Sequence, residues 1–224
     1  MSIDAYSVLV FVHIVLFAYW LGGDLGVFLT SRRVADRTLS LDERLRFLGV
    51  LLACDMGPRT CLILFIPVGY QMAAQLGLSP ITGYTLAAVW VLDLAWLALN
   101  WWMFFHERDP RVPKLRELDL KIRYVVIAVM GTMGAVSLAR GTPLQAPWLA
   151  AKVLLFACLV ALGVYLRIEL KQWVTGFGMV RQGGAAADEG NTIIERSLAR
   201  SKRAALLLWL GVALIAFIGK VKPF

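Results

Sequence analysis

Residues 7–29 read SVLVFVHIVLFAYWLGGDLGVFL, and one histidine, His13, and one carboxylate, Asp24, interrupt this apolar run. About twenty apolar residues cross the ~30 Å hydrocarbon core of a bilayer as a helix, so the run predicts a transmembrane span. Lipid penalises ionisable side chains, and those inside a span commonly face a packed or wet interior with a functional role. The run therefore predicts an integral membrane protein with a candidate site on its first helix.

The helical period places the polar residues of this span on one stripe. Trp20 and Asp24 follow His13 by seven and eleven residues. At ~100° per residue the three lie within about 20° of one line, and Phe17 falls on the same stripe. The stripe favours a buried cofactor or proton site. The alternative is a histidine that hydrogen-bonds to a neighbouring helix without any cofactor.

Two glycines mark a second face of the same span. Gly22 and Gly26 form a small-xxx-small pair that points roughly away from the His13 stripe. Such pairs let two transmembrane helices approach closely. With a polar stripe on one side and a packing stripe on the other, the first span is expected to lie centrally in its bundle.

Composition excludes both an ordinary soluble domain and a disordered chain. The 224 residues are 59% hydrophobic and include eight tryptophans, and the mean hydropathy is +0.71. No cysteine belongs to a C-x-x-C motif, so neither a disulfide framework nor a zinc site is expected. The net charge of +8 is carried by the connections between spans, so it predicts membrane topology and not nucleic-acid binding.

The chain is expected to form one transmembrane domain over residues 1–224, an all-α integral membrane six-helix bundle with short cytoplasmic amphipathic helices. Six segments are apolar enough to cross a bilayer: about 6–29, 60–77, 83–105, 120–139, 148–169 and 204–220. Three connections hold nineteen of the 23 lysines and arginines: 31–59, 106–123 and 167–203. The positive-inside rule then predicts a bacterial-type cytoplasmic (inner) membrane protein with both termini outside.

Two capping signals predict amphipathic helices on the cytoplasmic side. Ser40-Leu-Asp-Glu43 is a capping box that begins an interfacial helix leading into span two, and Thr192-x-x-Glu195 repeats the signal before span six. Residues 171–200, between spans five and six, contain glycine and alanine at 176–178 and 183–190. They are expected to form a mobile cytoplasmic linker.

Further polar residues occur in the second and third spans. Asp93 lies near the middle of span three with Asn100 on the same face, where a charged carboxylate is costly without a partner. A proton-relay or ion-site role and a simple interhelical hydrogen bond are both open.

At the start of span two, Asp55 is expected to cap the helix and Arg59 to reach the headgroups. Pairing of these two side chains across one turn is the alternative.

Two basic side chains complete the set of candidates. Lys152 lies about four residues into span five, which approaches the depth of His13 on span one. It can reach outward to the headgroups or meet an acidic ligand group near His13. His106 closes span three at the opposite border, ~20 Å away in depth, so it is expected to be an ordinary interfacial histidine.

The patterns His13-x6-Trp20-x-Gly22 and Trp148-Leu-x-x-Lys152 resemble the HemJ-type membrane protoporphyrinogen oxidases and the wider CopD-like group of polytopic proteins. The resemblance implies a b-type haem whose iron is bound by His13 and a functional role for Lys152. HemJ-type proteins carry a further histidine late in the lysine span, where Val164 and its neighbours stand here. This chain therefore offers no evident second histidine for the haem iron. The other axial position could be taken by a methionine, a tyrosine or water, or could stay empty.

The preferred hypothesis is haem b binding near the outer face with a redox role, and the haem-dependent oxidoreductase class stays open. Its cofactor-binding residues are His13, Phe17, Trp20 and Lys152, and Lys152 and Asp93 are the candidate catalytic residues. Quinone, porphyrin or another small redox molecule is the expected partner within the lipid bilayer, and a homo-oligomer is compatible with the sequence. The alternatives are a CopD-like copper or proton permease and a cofactor-free membrane scaffold.

Overall fold

Six long helices account for most of residues 4–223, the part of the chain that the computed structural model describes. They are α1 (Ala5–Val34), α2 (Leu41–Gln75), α3 (Gly83–Phe105), α4 (Val112–Arg140), α5 (Pro147–Val180) and α6 (Gly184–Val221). No strand occurs in this described range. All six helices are long and apolar enough to span a membrane, which confirms the prediction of an all-α membrane-spanning six-helix bundle.

The connections define two ends of the bundle. The turns at 35–40, 106–111 and 181–183 form one end, which we call the basic end. Here the Arg37 guanidinium pairs with Glu195 at 2.6 Å and ties the α1–α2 turn to α6. The connections at 76–82 and 141–146, the start of α1 and the end of α6 form the other end, which we call the terminal end. Here the Gln145 amide donates to the Leu78 carbonyl at 3.3 Å.

Packing is uneven around the bundle. Helices α1 and α2 pack along each other, as do α4 with α5 and α5 with α6, whereas α1 and α6 meet at few points. A main apolar core fills the bundle, and a second apolar cluster lies at the basic end around Val34, Leu51, Trp173 and Ile194. This second cluster supports the helices beyond the predicted spans.

The amphipathic helix before span two continues into the span. The capping box is present, since Ser40 Oγ accepts from the Glu43 amide at 3.3 Å and Glu43 Oε2 accepts from the Ser40 amide at 2.8 Å. Helix α2 then runs unbroken through Asp55 to Gln75. The expectation that Asp55 caps a new helix is therefore wrong, and Asp55 instead pairs with Arg59 one turn later. Pro58 lies inside this helix, at the point where α1 packs directly against it.

The close contact between α1 and α2 uses Gly23 and Gly26 rather than the expected Gly22 and Gly26. A Cβ atom on Gly23 would lie 2.5 Å from Cδ of Pro58, and one on Gly26 would lie 3.0 Å from Sγ of Cys54. A Cβ atom on Gly22 would meet nothing within 4 Å. Gly22 and Gly23 are adjacent, so they point about 100° apart around the helix and only one of them can face α2. The small-residue spacing therefore identified the right helix but the wrong first glycine.

The expected mobile linker at 171–200 is a helical hairpin. Helix α5 continues to Val180 and α6 begins at Gly184, so only 181–183 turn the chain. Its small residues are close-packing positions, since a Cβ atom on Gly190 would lie 2.5 Å from the carbonyl oxygen of Gly176. Thr192 does not cap a helix either, because its hydroxyl donates to the Asp188 carbonyl inside α6 at 2.9 Å.

Candidate functional site

The His13 side chain is half-buried on α1 and packs against α2. Its imidazole meets the ring of Phe65 edge-on, with ring centroids 4.7 Å apart. The Nδ1 atom is buried and has no hydrogen-bond partner within residues 4–223. Buried polar atoms without a partner are uncommon in native proteins and call for an explanation by a ligand, a proton or water. The geometry therefore singles out His13 among the residues of its span.

Trp20 of the α1 stripe shares one aromatic neighbour, Phe65, with His13. Trp20 is 3% exposed, and its Nε1 donates to Oδ2 of Asp24 at 2.8 Å. Its ring lies 5.6 Å from Phe65 and 6.4 Å from Phe156 of α5, measured between centroids. Phe17 packs at the margin of the main core. The two aromatic partners on α2 and α5 were missed from the sequence, because apolar residues within spans carry no signal of their neighbours.

Lys152 lies at the terminal end of α5 and faces α6. A Cβ atom on Gly219 would lie 2.6 Å from Nζ of Lys152, so this glycine leaves room for the ammonium group. The Lys152 side chain is half-buried, as is that of His13 on α1. The shared site predicted for these two residues stays a prediction.

Asp93 and Asn100 do not share a site. Asp93 is 7% exposed on α3, and its carboxylate has no ion pair among the described residues. Asn100 instead donates to Oδ1 of Asp119 at 3.1 Å. A role for Asp93 as a catalytic residue or proton relay stays a prediction.

His106 lies at the basic end, exposed, with its ring stacked on Trp102, which agrees with an interfacial position.

A buried charged cluster on α3, α4 and α5 was not expected from the sequence. Asp119 is fully buried, and its Oδ1 accepts from Trp96 Nε1 at 2.7 Å and from Asn100. Its Oδ2 accepts from Arg123 Nε at 3.2 Å and from Arg167. The i,i+4 spacing of Asp119 and Arg123 was a usable signal. Arg167 carried none, since it lies 48 residues from Asp119 in sequence.

A cavity of about 160 Å³ lies beside this cluster in the half of the bundle nearer the basic end. Side chains of α1, α2, α4, α5 and α6 line it, and most of them are apolar. The charged residues in its wall are Asp24, Asp55, Arg59, Arg123, Arg167 and Lys202. Trp20 belongs to the wall as well. The α1 stripe therefore runs from His13 down to a charged internal space.

Comparisons with protein-family models, with curated proteins and with solved structures found no match for this chain. Within the described residues, no three histidine, cysteine, aspartate or glutamate side chains are grouped so that they could hold a metal ion together. Two places stand out in the structure, the His13 neighbourhood and the charged cavity.

Proposed function

We propose that the protein binds haem b towards the terminal end of the bundle and has a redox role, with His13 as an axial ligand of the iron. The observation that carries the proposal is the buried Nδ1 of His13 without a partner in the described part of the chain. An imidazole with no structural hydrogen bond inside a membrane bundle is costly unless it serves a ligand or a proton. A neutral imidazole is also the commonest protein ligand of metal ions.

The residues around His13 fit a haem with one imidazole ligand. The imidazole meets the Phe65 ring edge-on, and the Trp20 ring lies on from Phe65, so aromatic side chains surround this part of the bundle. Helices α1 and α6 meet at few points, so a flat group can lie between them with little loss of packing. The Lys152 ammonium forms no ion pair among residues 4–223 and would bind a propionate or an acidic substrate. In this proposal Phe17 and Trp20 keep water away from the imidazole.

A bound haem supplies one-electron chemistry whose potential depends on its axial ligands and on its burial. This chain supplies the imidazole, the apolar surroundings and the ammonium group that orients an acidic partner. Asp93 is the candidate group for moving a proton, since it is a buried carboxylate without an ion pair in the described residues. A quinone, a porphyrin or a similar small redox molecule reaches such a site from the bilayer, which places the proposal in the oxidoreductase class.

Proton movement is the second candidate function, and one observation favours it. Trp20 and Asp24 are hydrogen-bonded to each other and line the charged cavity, and His13 lies seven residues before Trp20 on the same stripe. Such chains of ionisable residues mark ion and proton pathways in membrane proteins. In this version, the CopD-like permease hypothesis, His13 exchanges a proton and binds no haem. The cofactor-free scaffold is the remaining alternative.

The absorption spectrum of the purified protein separates these functions. Wild type prepared from haem-supplied cells is expected to show a Soret band and b-type bands on reduction, because His13 offers an unengaged imidazole. His13→Ala should lose these bands, whereas the matched variant His106→Ala should keep them, since His106 is exposed at the other end of the bundle. A colourless wild type that takes up no added haem would refute the haem proposal and leave proton movement as the leading function.

We further propose that the protein lies in a bacterial-type cytoplasmic membrane with both termini outside. The support is the asymmetry of charge, since nineteen of 23 lysines and arginines fall in 31–59, 106–123 and 167–203, the segments that contain the turns of the basic end. An alkaline phosphatase fusion after Lys222 should be active, and one inserted at 181–183 should be inactive. The opposite pattern would show that the basic end faces outward.

A further inference from the structure

The charged cavity is a second candidate site, separate from the His13 neighbourhood. Its volume of about 160 Å³ is lined mainly by apolar side chains of α1, α2, α5 and α6. An apolar cavity of ~150 Å³ is large enough to bind benzene, so this one admits a single chemical group of that size. The cations in its wall show that a purely apolar occupant does not fit.

The charges in and beside the cavity leave one positive charge in excess. Its cations are Arg59, Arg123, Arg167 and Lys202, and its carboxylates are Asp24, Asp55 and the adjacent Asp119. Asp55 pairs with Arg59, and Asp119 serves both Arg123 and Arg167. Lys202 has no ion pair within the described residues. A group with one negative charge would balance this set.

Arg123 shows where such a group would be held. Its side chain is 5% exposed, and its Nε is taken by Asp119. Its Nη2 atom is buried and has no hydrogen-bond partner among residues 4–223, although the residue lines the cavity. A guanidinium donor buried without an acceptor is unfavourable, and an oxyanion is the acceptor that a guanidinium binds most strongly.

We propose that this cavity binds one singly charged oxyanion group, with Arg123 Nη2 as its donor and Lys202 as its counter-charge. The apolar walls and the limited volume indicate that the anion belongs to an amphiphile, namely the phosphate of an anionic phospholipid. The cavity is not closed on all sides, so the acyl chains would leave it through its opening. Free phosphate is the other source of the same chemistry. The proposal does not depend on haem binding.

Native mass spectrometry of delipidated protein tests the proposal with three probes. They are phosphatidylglycerol, phosphatidylcholine with the same acyl chains, and inorganic phosphate. We expect one tightly bound phosphatidylglycerol and at least about tenfold weaker binding of the zwitterionic lipid, because only the former brings a net negative charge. Binding of inorganic phosphate without phosphatidylglycerol would support the oxyanion site with a soluble ligand.

Two variants locate the binding. Arg123→Lys keeps a positive charge beside Asp119 but removes the second donor, and is expected to weaken binding at least about tenfold. Arg116→Lys, an exposed position on the same helix, is its control. Gly163→Leu fills the cavity without a clash, since a Cβ atom there meets nothing within 4 Å, and Gly69→Leu is the equally unobstructed control outside the wall.

Loss of binding in Gly163→Leu with retention in Gly69→Leu supports the cavity even if Arg123→Lys does not fold. Equal binding of the two lipids with no binding of phosphate would overturn the proposal. So would wild-type affinity in both cavity variants. The Soret band of each variant, recorded in the same preparations, keeps this result separate from the fate of the haem proposal.

Discussion

Replacing Asp119 with leucine is expected to destabilise the protein by about 3–5 kcal/mol, the range for breaking a buried ion pair by removing one partner. The carboxylate is fully buried and is shared by Arg123 and Arg167. Without it the two guanidinium groups lie close together inside the bundle with no acidic partner at that point. Thermal or detergent-induced unfolding of the purified variant measures the loss.

Two further variants show that the loss comes from unpaired charge. Glu117→Leu removes an exposed carboxylate two residues earlier on the same helix, and should change stability by no more than about 0.5 kcal/mol. Replacing Asp119, Arg123 and Arg167 together with leucine, methionine and methionine should recover most of the stability, because an apolar set can substitute for a buried ionic one. If Asp119→Leu unfolds like Glu117→Leu, the charged cluster does not stabilise the fold.

The six spans could be predicted from the sequence, because a helix that crosses the hydrocarbon core of a bilayer must be made of apolar residues. The sequence underestimated helix length at the basic end, where α5 continues to Val180 and α6 begins at Gly184. The start of α2, in contrast, was predicted from the capping box at Ser40. The extensions of α5 and α6 are held by a separate apolar cluster that includes Trp173 and Ile194. A hydropathy window detects the bilayer crossing and has no means of detecting a helix that continues into water against its neighbours.

The basic residues show a different limit. Counting lysines and arginines treats each of them as a topological marker, which suits exposed residues such as Arg116. Arg123 and Arg167 were counted in the same way, yet both turn inward to Asp119. An ion pair between helices depends on three-dimensional packing, and no periodicity along one helix reveals it.

The candidate site was accessible from the sequence only where its residues share a helix. The stripe on α1 followed from the 3.6-residue period, and two of its members one turn apart, Trp20 and Asp24, are hydrogen-bonded. The contact of His13 with Phe65 required the fold. The same holds for the cavity, whose wall is assembled from five helices.

Helix α5 supplies a second large effect, since replacing Gly176 with leucine is expected to cost at least about 3 kcal/mol, the upper range for overpacking. A Cβ atom at this position would lie 2.6 Å from Cγ1 of Ile194 and 2.9 Å from the carbonyl oxygen of Gly190. The Ile194 side chain has little room to move because it is fully buried, and the Gly190 oxygen is backbone. The two helices must therefore separate.

Gly178→Leu is the matched control on the same helix. A Cβ atom there meets nothing within 4 Å, so its larger side chain should be tolerated and the loss of a helical glycine should be slightly stabilising. Hydrogen exchange over 171–200 distinguishes the packed hairpin from a mobile linker. Wild type and Gly178→Leu should both be protected, whereas Gly176→Leu should exchange rapidly over this segment. If wild type itself exchanges rapidly there, the small residues act as a linker and the hairpin does not set the spacing of α5 and α6.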